Sequence, residues 1–234
     1  MAIKPMLFNA EMVRAILSGQ KTCTRRVVKQ QPGDQIDADW ECGRKSNGEL
    51  VVLTPPCRPG DILYVRETWR VGAWRLDRQE IAVDFADGTI QREWIPIADK
   101  WRYDRYVKQS REDALKAGLD EPKWIPGEAP TRWRPSIHMP KEAARIFLRV
   151  TDVRVERLQD ITTVGLQAEG ILPAGYLSQF ATMTSDCFEQ WKDLWDSTIK
   201  LADRDRYGWA ANPWVWVIEF ERISKEAVLG GDGE

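Results

Sequence analysis

Lys21 and Thr24, with Gly19 before them and Arg25 and Arg26 around them, gather an amine, a hydroxyl and two guanidinium groups into residues 18–26. A threonine hydroxyl attacks a carbonyl only when a neighbouring base takes its proton. An ordinary lysine holds its own proton at neutral pH and cannot serve. Desolvation or adjacent cations favour the neutral amine, and Arg25 and Arg26 supply the cations. The stretch therefore offers a nucleophile, a base and the means to tune that base. A solvated lysine beside an ordinary strand threonine fits the same residues.

Glu169, beside Gly170 at the end of a short helical pattern, is a second candidate. The negative end of a helix dipole disfavours a carboxylate's charge, which suits a group that shuttles a proton. A plain surface glutamate is the alternative. Glu67 and Trp69 close a predicted strand, where ligands gather, although Glu67 paired with an arginine explains it equally well. Trp133 and His138 lie in the run 132–140, where Trp and Arg can stack on and hydrogen-bond a base. A buttressing loop accounts for that run too. Cys42, Cys57 and His138 offer three zinc ligands without a fourth, so neither a metal nor any other cofactor is expected.

These groups have to be positioned by local structure. Residues 4–8 read as a strand, and Asn9 caps a helix carrying Met12, Ala15 and Ile16 at helical spacing. Gly19 sits where a left-handed glycine ends that helix. Residues 22–28 read as a strand, which puts Thr24 and Arg26 on one face. Lys21 falls out of that register and has to approach from the turn. Turn chemistry marks 29–57 as an insertion with one strand at 49–53. Residues 62–69 form the next strand. A second insertion, 71–140, holds a hairpin of 81–85 and 89–95 around Asp87-Gly88, then a Trp-punctuated stretch suited to a lid or side wall. Strand character returns at 144–158. Asp160 or Thr162 caps the short helix that ends at Glu169, a capping box at Asp186 opens a helix through Trp195, and 214–220 form a last strand. The tail, 223–234, lacks the apolar content to order itself. Few short helices and five or six core strands predict an α+β fold, a small and mostly antiparallel β-barrel, rather than a doubly wound sheet.

The 234 residues suffice for one sizeable core. A net charge of −2 excludes a protein that coats nucleic acid, though not one with a local basic groove. No apolar run reaches a membrane span and the start lacks signal-peptide features, so a cytoplasmic protein with no membrane partner is expected. Four cysteines without CxxC spacing do not make a disulfide scaffold. The 12 Trp are enough to fill a core and leave some to stack on a planar ligand.

The pattern Gly19-x-Lys21-x-x-x-x-Arg26 resembles the signature of the ASCH superfamily, whose members have a PUA-like β-barrel. Residues 18–26 further resemble the active segment of the small bacterial N4-acetylcytidine amidohydrolases. Leu158-Gln159-Asp160-Ile161-Thr162 leading to Glu169 is similar to the segment carrying their catalytic glutamate. Gly60-Asp61-Ile62-Leu63-x-Val65 and Val217-Ile218-Glu219-Phe220 resemble family strands. The likeness covers roughly 1–28, 58–70 and 145–222. It implies one ASCH domain over 1–222, interrupted at 29–57 and 71–140. It also implies a Lys21–Thr24–Glu169 triad, with Arg26 as a motif residue, acting on an acylated cytosine nucleoside or nucleotide. The small amidohydrolases lack both insertions; the whole chain is similar to larger ASCH proteins often encoded by phages. Family members that bind or cleave RNA make an RNA partner, without catalysis or with ribonuclease activity, the rival expectation. Gly19, Arg26, Glu67, Trp69, Trp133 and His138 are the expected substrate contacts.

Overall fold

The computed structural model describes residues 1–33, 35–36, 42–45, 47–119, 124–171 and 181–229. In chain order the elements are β1 (Ile3–Leu7), α1 (Ala10–Leu17), β2 (Cys23–Val27), β3 (Gln35–Ile36), β4 (Cys42–Arg44), β5 (Leu50–Val52) and β6 (Ile62–Arg66). There follow β7 (Trp69–Arg75), β8 (Glu80–Phe85), β9 (Ile90–Pro96), α2 (Lys100–Lys116) and β10 (Phe147–Arg157). The chain ends with α3 (Thr163–Ala168), α4 (Ala181–Thr198), α5 (Arg204–Tyr207), β11 (Trp214–Ile223) and α6 (Lys225–Leu229). It is a mixed α+β protein whose sheets are mostly antiparallel, and no closed barrel is formed among the described residues. None of the described helices is long and apolar enough to cross a membrane.

Contacts divide the chain into two compact units. The first comprises residues 1–2, 15–62 and 148–223. Its β10, β11 and β2 lie side by side in that order, and β2 pairs with β11 in the register Thr24 to Ile218 and Arg26 to Trp216. Alternation along β2 and β11 sends Cys23, Arg25, Val215 and Val217 to one face. There Cys23, Val215 and Val217 pack with Leu158, Leu166, Trp191 and Trp195 from the helical segments. The insertion at 29–57 holds a small sheet of β3, β4 and β5, two strands more than its turn-rich sequence suggests.

The second unit comprises 3–14, 63–147 and 224–234. The stretch 71–140 is its nucleus, not a lid: β7, β8 and β9 make an antiparallel sheet whose Val71, Ile81, Val83 and Phe85 are buried. The expected 62–69 strand breaks after Arg66, and a new strand starts at Trp69. Helix α2 is the element the turn-and-Trp reading passes over, although Asp99 caps it and Tyr103, Tyr106, Val107, Ser110 and Ala114 are buried at helical spacing. Two further expectations are corrected. The capping-box residues at Asp186 lie inside α4, which starts at Ala181, so a spacing that suits a helix start occurs here within a helix. In the tail, Ser224 caps α6 and Val228 is buried, so 225–229 are ordered; 230–234 lie outside the described residues.

Candidate active site

The turn after α1 places Lys21. Gly19 takes a left-handed conformation, φ +76°, and the backbone N–H groups of Gln20 and Lys21 both donate to the Ala15 carbonyl. The chain then enters β2 by an isolated bridge between Lys21 and Glu169. Glu169 gets there because Thr162 caps α3, accepting from the Gly165 N–H at 3.2 Å, and because Gly170, at φ +82°, turns the chain at once. That glycine is required. A Cβ at Gly170 would stand 3.0 Å from the Ala15 Cβ and 3.2 Å from the Lys21 Cβ.

Lys21 and Glu169 meet in full burial, each side chain 1% exposed. The Lys21 Nζ donates to Glu169 Oε2 and, at 3.1 Å, to the Glu169 carbonyl. Arg25 donates from Nη1 to Glu169 Oε1 at 3.1 Å and from Nη2 to Glu156 Oε2 at 3.3 Å. One carboxylate is thus shared by an amine and a guanidinium. Beyond it, Arg154 bonds Asp152, Glu156 and Glu219 at 2.6–2.8 Å. Removing two charges from water is costly and is offset only by such close, fully bonded geometry. Two cations, and not a helix dipole alone, set the surroundings of Glu169.

The field of this cluster reaches its neighbours. The Cys23 thiol is pushed up from 9.0 to about 12, first by burial and then by Glu169, so it is no nucleophile at neutral pH. Burial holds the Arg26 guanidinium below its ordinary value, and Glu169 acts against that shift. A cavity of about 130 Å³ borders the cluster, with Cys23, Arg25, Arg154, Glu156, Thr162 and Glu219 in its wall.

Thr24 is buried at 2% exposure on β2, and among the described residues its hydroxyl bonds neither Lys21 nor Glu169. Strand alternation turns it away from Arg25, toward the face where Trp216 opposes Arg26. Trp216 also walls a second cavity, about 410 Å³, with Val153, Leu53, Cys57 and Arg58. The structure therefore joins two of the three expected triad residues directly. Lys21 precedes the regular ladder, and its amine bonds the Glu169 carboxylate that Arg25 also holds, on the side of β2 away from Thr24.

The other expected contacts lie in the second unit and are explained locally. Glu67 is buried and receives both Nε and Nη2 of Arg145, at 2.9 and 2.7 Å, while Arg145 also bonds Asp87 at 2.8 Å. Burial raises Glu67, and Arg145 opposes the rise. Trp69 has no exposed surface and meets Tyr106 edge to face, so it offers no face for stacking on a base. Trp133 is 45% exposed, with the Arg70 guanidinium 4.6 Å from its ring centre. His138 sits exposed in a 3₁₀ turn. Among the described residues no three or more His, Cys, Asp or Glu side chains are grouped to hold a metal ion.

Sequence reading missed Glu156, Arg154 and Glu219. Their signal was available: Asp152, Arg154 and Glu156 alternate at period two along β10, and Glu219 is the first charge after an apolar run in β11. Comparison with protein-family models, curated proteins and solved structures finds no match to this chain.

Proposed function

We propose that the chain is an ASCH-type amidohydrolase of PUA-like ancestry that removes the acyl group from N4-acylated cytosine nucleosides or nucleotides. The observation that supports this reading is the sealed pair of Lys21 and Glu169, an amine and a carboxylate in direct contact a few residues from a buried threonine hydroxyl. A proton passed from Lys21 to Glu169 leaves a neutral amine and a carboxylic acid, the two forms that amide cleavage needs.

The Lys21 amine then takes the proton of Thr24 Oγ1, which attacks the acyl carbonyl carbon. Arg26, on the Thr24 face, is the cation for the developing oxyanion. Collapse breaks the bond to the exocyclic nitrogen, which takes its proton from Glu169, and leaves an acyl ester on Thr24. Water, giving a proton to the freed carboxylate of Glu169, attacks that ester. Lys21 returns its proton to Thr24 as the carboxylic acid departs. The cavity of about 410 Å³ beside Trp216 has room for a nucleoside and an aromatic wall that suits a planar ring, although Lys21, Thr24 and Glu169 are not in that wall.

The same cluster argues against a ribonuclease. Lys21 and Arg25 already face Glu169 and Glu156, and a phosphodiester brought to them would meet those carboxylates as well.

Deacetylation of N4-acetylcytidine tests the proposal. The wild-type chain is expected to turn it over, with Thr24→Ala and Lys21→Ala slower by about 10²-fold or more. Equal rates in all three proteins would remove both residues from the reaction.

A further inference from the structure

In the second unit, Trp69 and Arg134 face each other across an isolated antiparallel bridge. The Trp69 N–H donates to the Arg134 carbonyl at 3.2 Å, and the Arg134 N–H donates back at 2.7 Å. Residues opposed in this way send their side chains to the same side. Helix α2 packs there, with Tyr106 and Ser110 one turn apart and Gln109 beside them. The Arg134 guanidinium carbon lies 5.2 Å from the Tyr106 ring centre and 5.6 Å from that of Trp69, and its Nη1 donates to Gln109 Oε1 at 2.6 Å. Tyr106 thus meets both Trp69 and Arg134, and Ser110 follows it one turn along the same buried face of α2.

Four buried polar atoms of these residues have no hydrogen-bond partner among the described residues. Arg134 Nε and Nη2, Trp69 Nε1 and Ser110 Oγ are all buried without a hydrogen-bond partner. Trp69 and Ser110 are completely buried, and Arg134 is 9% exposed. The two ring faces draw the guanidinium charge, but they do nothing for the indole N–H or the serine hydroxyl. Among the described residues no carboxylate bonds Arg134, and both oxygens of Asp113 accept from Arg132. Buried polar groups left without a partner are rare in folded proteins and point to a partner that binds them.

The shortfall has a consistent sign. All four atoms can donate, the Ser110 hydroxyl being able to accept as well, and they accompany a planar cation; Arg105 and Arg132 add positive field while Asp113 opposes it. A single group with several lone pairs and a negative charge would satisfy it, and a guanidinium holds such a group bidentately. We propose that Trp69, Ser110 and Arg134 form an oxyanion site that takes a phosphate or carboxylate group of a ligand. It is independent of the hydrolase reading, since none of its residues enters that reaction.

The full chain is titrated with inorganic phosphate and, separately, with acetate, against sodium chloride at matched ionic strength. Tryptophan emission and the thermal midpoint are followed. A saturable response to at least one oxyanion and none to chloride is expected, weakened about tenfold or more in Ser110→Ala and Arg134→Gln. A response to phosphate alone assigns a phosphorylated ligand, and one to acetate alone a carboxylate ligand. Ser110→Ala keeps the test decisive should Arg134→Gln fail to fold. Absence of a saturable response in the wild type overturns the site, and so does a response that Ser110→Ala leaves unchanged.

Discussion

Glu169 decides how the buried charges of the first unit behave. It receives Lys21 and Arg25 together, so neutralising it leaves two cations in a space that excludes water. Cys23, beside this cluster, has a measurable consequence. The folded thiol keeps its proton to about 12, whereas the ordinary thiol releases it near 9.0. Tighter proton binding in the folded state adds stability that is complete below about pH 9 and drains away as pH climbs toward about 12. Urea unfolding between about pH 9 and 11 should therefore show the wild type losing up to about 1.4 kcal/mol per pH unit more than Cys23→Ala. Parallel losses in the two proteins would mean that the thiol is not held in this environment.

At the scale of elements, the turns that aim the site were legible because each rests on one residue's backbone preference. Gly19 and Gly170 both hold the left-handed conformation expected after a helix, and Thr162 caps α3 as its position suggests. Gly170→Ala should cost about 1 kcal/mol or more in backbone strain alone, and turnover should fall because the new methyl presses on Lys21. An alanine variant with wild-type midpoint and rate would show that the turn does not position the pair. Helix α2 was less legible, since its mean composition is polar and its buried face is made of Tyr103, Tyr106 and Ser110 rather than aliphatic residues. The face of β2 was misleading in a different way. Period two groups Thr24 with Arg26 correctly, yet nothing local reveals that Arg25 reaches Glu169, because that contact spans 144 positions.

For the molecule as a whole, composition set useful limits but hid how charge is distributed. A net charge of −2 arises from many cations already matched to carboxylates, Arg25, Arg145 and Arg154 among them. A single-stranded RNA oligonucleotide at moderate salt should accordingly bind no more tightly than about 10⁻⁶ M, the range of non-specific association. Much tighter, steeply salt-dependent binding without turnover would favour a reader of RNA over a hydrolase. Neither two-unit organisation nor the merging of 71–140 into a second core could be read from turn signals, because both depend on contacts distant in sequence. The hydrolase account turns finally on one comparison, the steady-state rate of N4-acetylcytidine deacetylation by wild type and by Glu169→Gln, taken where circular dichroism shows both folded. The account predicts turnover by the wild type and a loss of about 10²-fold or more in the variant; a folded Glu169→Gln protein that works at the wild-type rate would contradict it.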